Sequence, residues 1–263
     1  MDMQNTGAAA LTVYDRICLT RKNGRATAID YIESGDIFTD FCELHGDRTF
    51  GDDHAVIGGI ARLDRHFGCV LPEGYRKALR LIKQAEKFNR PVICFVDTQG
   101  ANCGKGAEER GAGEAIARNL YELSAVRTPI ITVMIGEGGS GGALALAVAD
   151  RVWMLSNAYY SVISPESCAS ILFKDPKRAP EAAEHLHLTA NDLVELGIVE
   201  KKIAEPDFAD ADARRSFMEK LGHSLHRELK ALSRLDADRL LAERTEKYRK
   251  IGRYDAYSVA GTG

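Results

Sequence analysis

The stretch I-G-E-G-G-S-G-G-A-L-A-L-A-V-A-D, residues 135–150, carries five glycines in its first eight positions. A β-branched run, Ile130, Ile131, Val133 and Ile135, leads into it and an Ala/Leu run leads out. That order predicts a buried strand over 130–135, a bare loop, and an apolar helix over 143–149. The same order stands earlier in the chain. V-I-C-F-V (92–96) reads as a buried strand and D-T-Q-G-A-N-C-G-K-G (97–106) as a second glycine loop. Residues 107–126 then read as a helix with Ile116, Leu120 and Leu123 on one face, stopped by Thr128-Pro129. Two such units imply a largely parallel sheet with right-handed crossovers. Both loops then share one sheet edge, where strand C-termini meet helix N-termini and ligands bind.

Several chemistries use a glycine loop of this kind. Gly136, Gly138 and Gly141 fit G-x-G-x-x-G, but a dinucleotide site needs an acid about 20 residues on, and the next strand, R-V-W-M-L, ends in Ser156-Asn157. Gly138, Ser140 and Gly142 fit the G-x-S-x-G nucleophile elbow, which requires an acid and then a histidine downstream. Asp175 with His185 or His187 is formally available, but E-A-A-E-H-L-H-L-T-A-N-D reads as an amphipathic helical surface. A P-loop is excluded because no Lys-Ser/Thr closes the loop. Close packing of helix on sheet would explain one or two glycines; five carry a heavy entropic cost unless the backbone itself is used. The reading favoured is a backbone site, with N–H groups at the first turn of a helix aimed at an anionic oxygen and a second set offered by the companion loop, an oxyanion hole.

Working outward, H-A-V-I-G-G-I-A-R-L-D gives a strand over 55–63, and P-E-G-Y-R-K-A-L-R-L-I-K-Q-A-E-K-F a helix with Pro72 first and Glu73 at its positive end. Its apolar face is Tyr75, Ala78, Leu79, Ile82 and Ala85. R-V-W-M-L and Y-Y-S-V-I read as strands, Ser164-Pro165-Glu166 as a capped helix start, and L-T-A-N-D-L-V-E-L-G-I-V as a helix from Thr189 to Gly197 before a strand over 199–203. Near the start, T-A-I-D-Y-I-E-S-G-D-I-F-T-D-F-C-E-L suggests short helices bearing Tyr31, Ile32, Phe38, Phe41 and Leu44. From Asp207 the chain is charged and helical, with Leu225, Leu229 and Leu232 at helix spacing.

A chain of 263 residues can bury a full core. A net charge of −3 gives no reason to expect nucleic acid. The six cysteines show no C-x-x-C and no zinc spacing, so reduced thiols in a cytoplasmic protein and no metal in this chain are expected. No apolar run approaches about 18 residues, so no membrane span is expected, and the opening M-D-M-Q-N-T-G-A-A-A does not read as a secretory signal.

The segments G-D-R-T-F-G-D-D-H-A-V-I-G-G-I-A-R-L-D, P-E-G-Y-R-K-A-L-R-L-I-K-Q-A-E-K-F, G-A-E-E-R-G-A-G-E-A-I-A-R-N-L, I-G-E-G-G-S-G-G-A-L-A-L-A-V-A-D-R-V-W-M-L and Y-S-V-I-S-P-E resemble the α subunits of bacterial acetyl-CoA carboxylase carboxyltransferase, over about 44–206. The resemblance implies a crotonase-like (ClpP/crotonase) α/β superhelix of ββα units over 45–206, with a helical N-terminal arm over 1–44 and a charged helical tail over 207–263. It implies transfer of the carboxyl group of carboxybiotin, carried on a biotin carboxyl carrier protein, to acetyl-CoA, giving malonyl-CoA for fatty acid synthesis. It implies a site shared with a zinc-containing β subunit in an α2β2 assembly that works with biotin carboxylase. The backbone amides around Gly138, Gly139, Gly141 and Gly142, with Gly100 and Ala101, are the expected oxyanion donors, and Gly104, Gly106, Ser140 and Ala143 the expected substrate-lining residues. Such chemistry needs no protein base, in keeping with the lack of a convincing His/Asp or paired-carboxylate constellation. A catalytically silent scaffold subunit, or a stand-alone crotonase-like hydratase or serine hydrolase, remain the alternatives.

Glu108-Glu109-Arg110 suits a helix start, Cys103 has only Lys105 nearby to lower its pKa, and Ser164-Pro165-Glu166 borders the expected pocket. Two departures from the family pattern stand out. Where the family reads D-T-P-G-A-Y-P-G, this chain has Asp97-Thr98-Gln99-Gly100-Ala101-Asn102-Cys103-Gly104. After Asp64 the family pattern continues through a further strand and a Gly/Lys/Thr-rich loop, about two dozen residues that this sequence lacks before His66. Omission is expected rather than deletion, since losing a core strand would damage the sheet. A bonded join there would place neighbouring Cα atoms about 3.8 Å apart.

Overall fold

The computed structural model describes residues 11–22, 24–48, 51–53, 55–63, 66–70 (backbone only) and 74–252. In chain order the elements are α1 (Val13–Thr20), α2 (Ala28–Glu33), β1 (Thr39–Glu43), β2 (Gly59–Leu63), β3 (His66–Val70), α3 (Tyr75–Lys87) and β4 (Val92–Thr98). Next come α4 (Lys105–Glu109), α5 (Ala112–Ala125), β5 (Ile130–Gly139), α6 (Ser140–Leu144), β6 (Arg151–Leu155), β7 (Tyr159–Ser161) and α7 (Pro165–Phe173). The chain continues through a 3-10 turn (Pro176–Arg178), α8 (Ala179–His185), α9 (Ala190–Glu195), β8 (Lys201–Ile203), α10 (Ala211–Leu232) and α11 (Ala237–Arg249).

The main sheet runs β1-β2-β3-β4-β5-β6-β8. Pairing is antiparallel from β1 to β3 and parallel from β3 to β8. The two strand–glycine–helix units are therefore neighbours in space, as their sequence grammar requires. Core residues concentrate on β4 and β5, where the aliphatic runs are buried on both faces, as the helix-covered strands of a parallel sheet are.

β5 is longer than its apolar run. Its first half pairs with β6 through Ile131–Met134, and its second half pairs with β7 as Glu137↔Tyr159, Gly138↔Tyr160 and Gly139↔Ser161. The glycine loop predicted at 136–142 is thus a strand as far as Gly139. The expected helix over 143–149 is also displaced, since α6 begins at Ser140 and ends at Leu144. Beyond Leu144 the N–H groups of Ala145, Leu146 and Ala147 still bond to Gly141 O, Ala143 O and Leu144 O in irregular turns, and side chains take further backbone groups. Thr132 Oγ1 donates to Leu146 O at 2.7 Å, and Tyr248 Oη donates to Ala147 O at 2.7 Å and accepts from Ala149 N at 2.9 Å.

Other differences have equally local causes. The helix predicted over 107–126 is two helices, α4 and α5, parted by Gly111 at φ 76°. Phe41 and Leu44, read as helical, belong to β1 and its exit, with Leu44 N–H bonded to Gly58 O at 2.8 Å. The last residues of the expected helical arm therefore join the sheet. On α3 the buried face includes Leu81 and Lys77, while Leu79 is only partly buried; Pro72 and Glu73 lie outside the described residues. The join at Asp64-Arg65 lies outside them too. On its two sides Leu63 pairs with His66 in the β2–β3 register, and β3 occupies the place between β2 and β4. The tail is charged outside, but it buries Phe217, Leu221, Leu225 and Leu229 against the core. Among the described residues no helix is long and apolar enough to cross a membrane.

Candidate active site

The ends of β4 and β5 bring the two glycine segments into contact. A Cβ on Gly142 would lie 2.7 Å from Ala101 N, Gly100 C and Tyr75 Oη, and one on Gly139 would strike the carbonyl of Gln99. A Cβ on Gly136 would strike the Asp97 carboxylate, and one on Gly138 would lie 2.7 Å from Tyr159 O. Four of the five glycines are therefore demanded by close approach of neighbouring backbone or side chain, which is the packing role that sequence reasoning judged insufficient for so many. Gly141 alone has ordinary room, with Ile116 Cγ2 at 3.7 Å.

The expected donor set narrows accordingly. Gly138 sits in the ladder between Thr98 and Tyr160, and Gly139 opposite Ser161. Gly100, at φ 140°, donates its N–H to Thr98 Oγ1 at 3.1 Å, and Gly104 donates to Asn102 Oδ1 at 2.8 Å. These glycines shape the turn, and the expectation that Gly100 offers a free amide is corrected by its local bond. Gly106 lies within α4, packed beside the Arg110 guanidinium, and Ala143 is buried in the last part of α6. Ser140, Gly141 and Gly142 open α6, so helix geometry gives their N–H groups no intrahelical acceptor. Ala101 N–H has no hydrogen-bond acceptor among the described residues. Ala101 and Ser140–Gly142 thus form one cluster of main-chain donors, walled by glycine.

Ser140 adopts φ 58°, a left-handed conformation unusual for a side-chain-bearing residue and found at functional turns. One cavity of about 400 Å³ opens beside it, lined by Ser140, Gly141, Leu144, Tyr160, His187 and Ile198 among others. A second, of about 450 Å³, opens beside the companion turn and is lined by Asp52, Tyr75, Lys77, Asn102 and Arg110 among others. In that second cavity the buried Lys77 ammonium donates to Asp52 Oδ1 at 2.8 Å and Val56 O at 2.7 Å. Lys77 is foremost in holding the Asp52 carboxyl well below its usual range. The nucleophile-elbow reading gains nothing. Among the described residues no hydrogen bond joins Ser140 to His185 or His187, and Asp175 accepts from Lys177 N–H as a helix cap.

Sequence reasoning missed a buried acid inside the motif. Glu137, 5% exposed, accepts from Tyr159 Oη at 2.6 Å, Gln99 Nε2 at 3.1 Å and Arg21 Nε at 3.2 Å. Its own N–H donates to Asp97 Oδ1 at 2.8 Å. Burial, reinforced by the bond to Glu137, pushes the Tyr159 hydroxyl up, so it remains a donor. Arg21 continues to Glu166 at 2.7 Å, where Tyr14 Oη also donates at 3.0 Å. Although burial pulls the other way, Arg21 holds the Glu166 carboxyl low. The only sequence signal for this network is an acid set among glycines.

The family model for acetyl co-enzyme A carboxylase carboxyltransferase-like proteins matches residues 2–66 and 61–252, two stretches that meet where the family pattern is interrupted. The carboxyl transferase α subunit of Ruminiclostridium cellulolyticum is 50% identical over 262 residues, covering 92% of this chain and 98% of that protein. That of Geobacillus sp. is 49% identical, covering 96% and 83%. A fused β/α carboxyl transferase of Natranaerobius thermophilus is 50% identical, and this chain spans 43% of its length. Among solved structures, the 12S transcarboxylase core shares the fold at TM-score 0.62, with 19% identity over 92% of this chain and 45% of that one. A Pseudomonas malonate decarboxylase hetero-tetramer shares it at 0.61, with 16% identity over 76% and 88%. With its parallel sheet and its paired glycine turns, this chain belongs to the family of acetyl-CoA carboxylase carboxyltransferase α subunits.

Proposed function

We propose that the Ala101 turn and the first turn of α6 form the oxyanion site of carboxyl transfer from carboxybiotin to acetyl-CoA. The observation that carries this reading is the contact of two glycine-containing turns on neighbouring parallel strands, with the N–H groups of Ala101 and Ser140–Gly142 in one place. A flat ureido ring has an approach to these donors through the adjoining cavity, which is lined by Ser140, Gly141, Leu144 and Tyr160 and is largely apolar, and Gly141 keeps its side of that approach free of a side chain. Carboxybiotin, when bound, supplies the carboxyl group. The protein's part is to present fixed N–H dipoles to an oxygen gaining negative charge. Such donors need no reorganisation during the reaction, and losing one typically lowers rate about 10²–10³-fold.

In this reading the chain works with a zinc-containing β subunit as α2β2, with a biotin carboxyl carrier protein and biotin carboxylase, in the cytoplasm. The fused β/α relative supports a β partner. The described thiols, Cys18, Cys42, Cys94, Cys103 and Cys168, are free, as a reducing compartment keeps them. The test is malonyl-CoA-dependent carboxylation of free biotin by the purified chain with and without a β subunit. Activity in the mixture alone supports the reading. Absence of activity in both supports a scaffold role, and hydration or hydrolysis by the chain alone a stand-alone enzyme.

A further inference from the structure

We propose that Gln99, Glu137 and Arg21 are positioning residues for carboxyl transfer, forming a side-chain latch that holds the Ala101 turn against the Ser140–Gly142 turn. The inference rests on the reading that these turns form the reacting site. The need for a latch comes from the sheet. The β4–β5 register is regular from Val92↔Ile130 to Val96↔Met134, then jumps to Thr98↔Gly138. Two steps along β4 are matched by four along β5, so the regular ladder stops fixing one turn against the other just before both are needed.

Side chains bridge that irregular span. Asp97, near the end of β4, accepts from the Glu137 N–H at 2.8 Å, and Gln99 of the first turn donates to the Glu137 carboxylate at 3.1 Å. The other Glu137 oxygen takes Tyr159 Oη from β7 and Arg21 Nε from the end of α1. A carboxylate with three donors, one of them cationic, has few orientations left, and charge-assisted bonds of this kind are stronger than neutral ones. Arg21 also grips Glu166 in the first turn of α7, so the N-terminal arm closes the latch from outside. Gln99 stands where the family pattern has proline. This chain thus holds by a hydrogen bond a turn that the family pattern gives to a ring-restricted residue.

The test uses the chain assembled with its β subunit and assayed by malonyl-CoA-dependent carboxylation of biotin. Gln99 is exposed, so its variants should fold. Gln99→Ala is expected to lower kcat about ten- to a hundredfold, with the KM for malonyl-CoA and the melting temperature unchanged, as loss of alignment does. Gln99→Glu sets two carboxylates against each other and is expected to lower kcat further. Adding Glu137→Gln to it restores one donor facing one acceptor and is expected to recover most of that loss. A folded Gln99→Ala complex with unchanged kcat overturns the latch, as does a double variant no faster than Gln99→Glu. A wild-type complex without transfer activity overturns the reading of the site itself, and the latch with it.

Discussion

At the scale of single residues, the glycines of 136–142 divide into four whose missing Cβ lets neighbouring atoms approach and one, Gly141, with ordinary room around it. The division gives opposite expectations for two neighbours. Gly142→Ala forces a methyl into the main chain at Ala101 and Gly100 and should cut turnover by about a hundredfold or more, because it displaces an entire donor turn. Gly141→Ala meets only Ile116 and should remain folded, with turnover nearer to wild type than to Gly142→Ala. Steady-state kinetics of the α/β complex beside a thermal melt of each variant checks both. Equal losses at the two positions would remove the steric argument. The sequence marks all five glycines alike. Which one faces backbone and which faces open space depends on the partner strand, and nothing in residues 136–142 specifies it.

At the scale of elements, two contacts decide how the peripheral helices dock. Arg244 of α11, 2% exposed, donates to both oxygens of Asp150 at 2.8 and 2.7 Å and to the carbonyls of Leu123, Val126 and Thr128. Arg244→Ala leaves the buried Asp150 carboxylate without its cation, with Ile130 N–H still bonded to it, and takes a donor from three carbonyls, and should lower stability by about 3–5 kcal/mol. The readout is a lower urea midpoint with an unchanged denaturant slope. At the other end of the chain, α1 is tied down by Arg21 and Tyr14 to Glu166. Because the folded Glu166 carboxyl sits below its usual range, its contribution is present above the unfolded value of about pH 4.3 and is lost as pH falls through the folded value. Protection of α1 amides from hydrogen exchange, corrected for intrinsic rates, should therefore drop between pH 7 and pH 3.5 ahead of α5. Simultaneous loss in both helices would show that α1 is not held this way. The helices themselves were legible, through the Ser164-Pro165 start of α7, the Thr189 cap of α9 and Gly197 after it. Their docking was not, since Arg21, Arg244 and Lys77 read as ordinary surface charges until distant partners neutralise them.

At the scale of the whole molecule, the donor turn lies beside two open cavities, and apolar side chains such as Val162, 80% exposed, stand near its rim. The isolated chain is therefore expected to be inactive and to gain activity on titration with a β subunit, with saturation at one β per α measured by the biotin carboxylation assay. Full activity of the chain alone would contradict a shared site. Local sequence by itself determined the paired strand–glycine–helix units, their common edge and the family. Hydrophobic period, glycine and capping residues act within a few positions and need no partner to be read. Tertiary structure alone decided that β5 runs on to Gly139 and changes neighbours from β6 to β7, that Gly100 turns its amide inward to Thr98, and that Glu137 is buried under Arg21, Tyr159 and Gln99. Each of these depends on groups far apart in the chain, and the bonds that settle them form only when the folded sheet brings those groups within hydrogen-bonding distance.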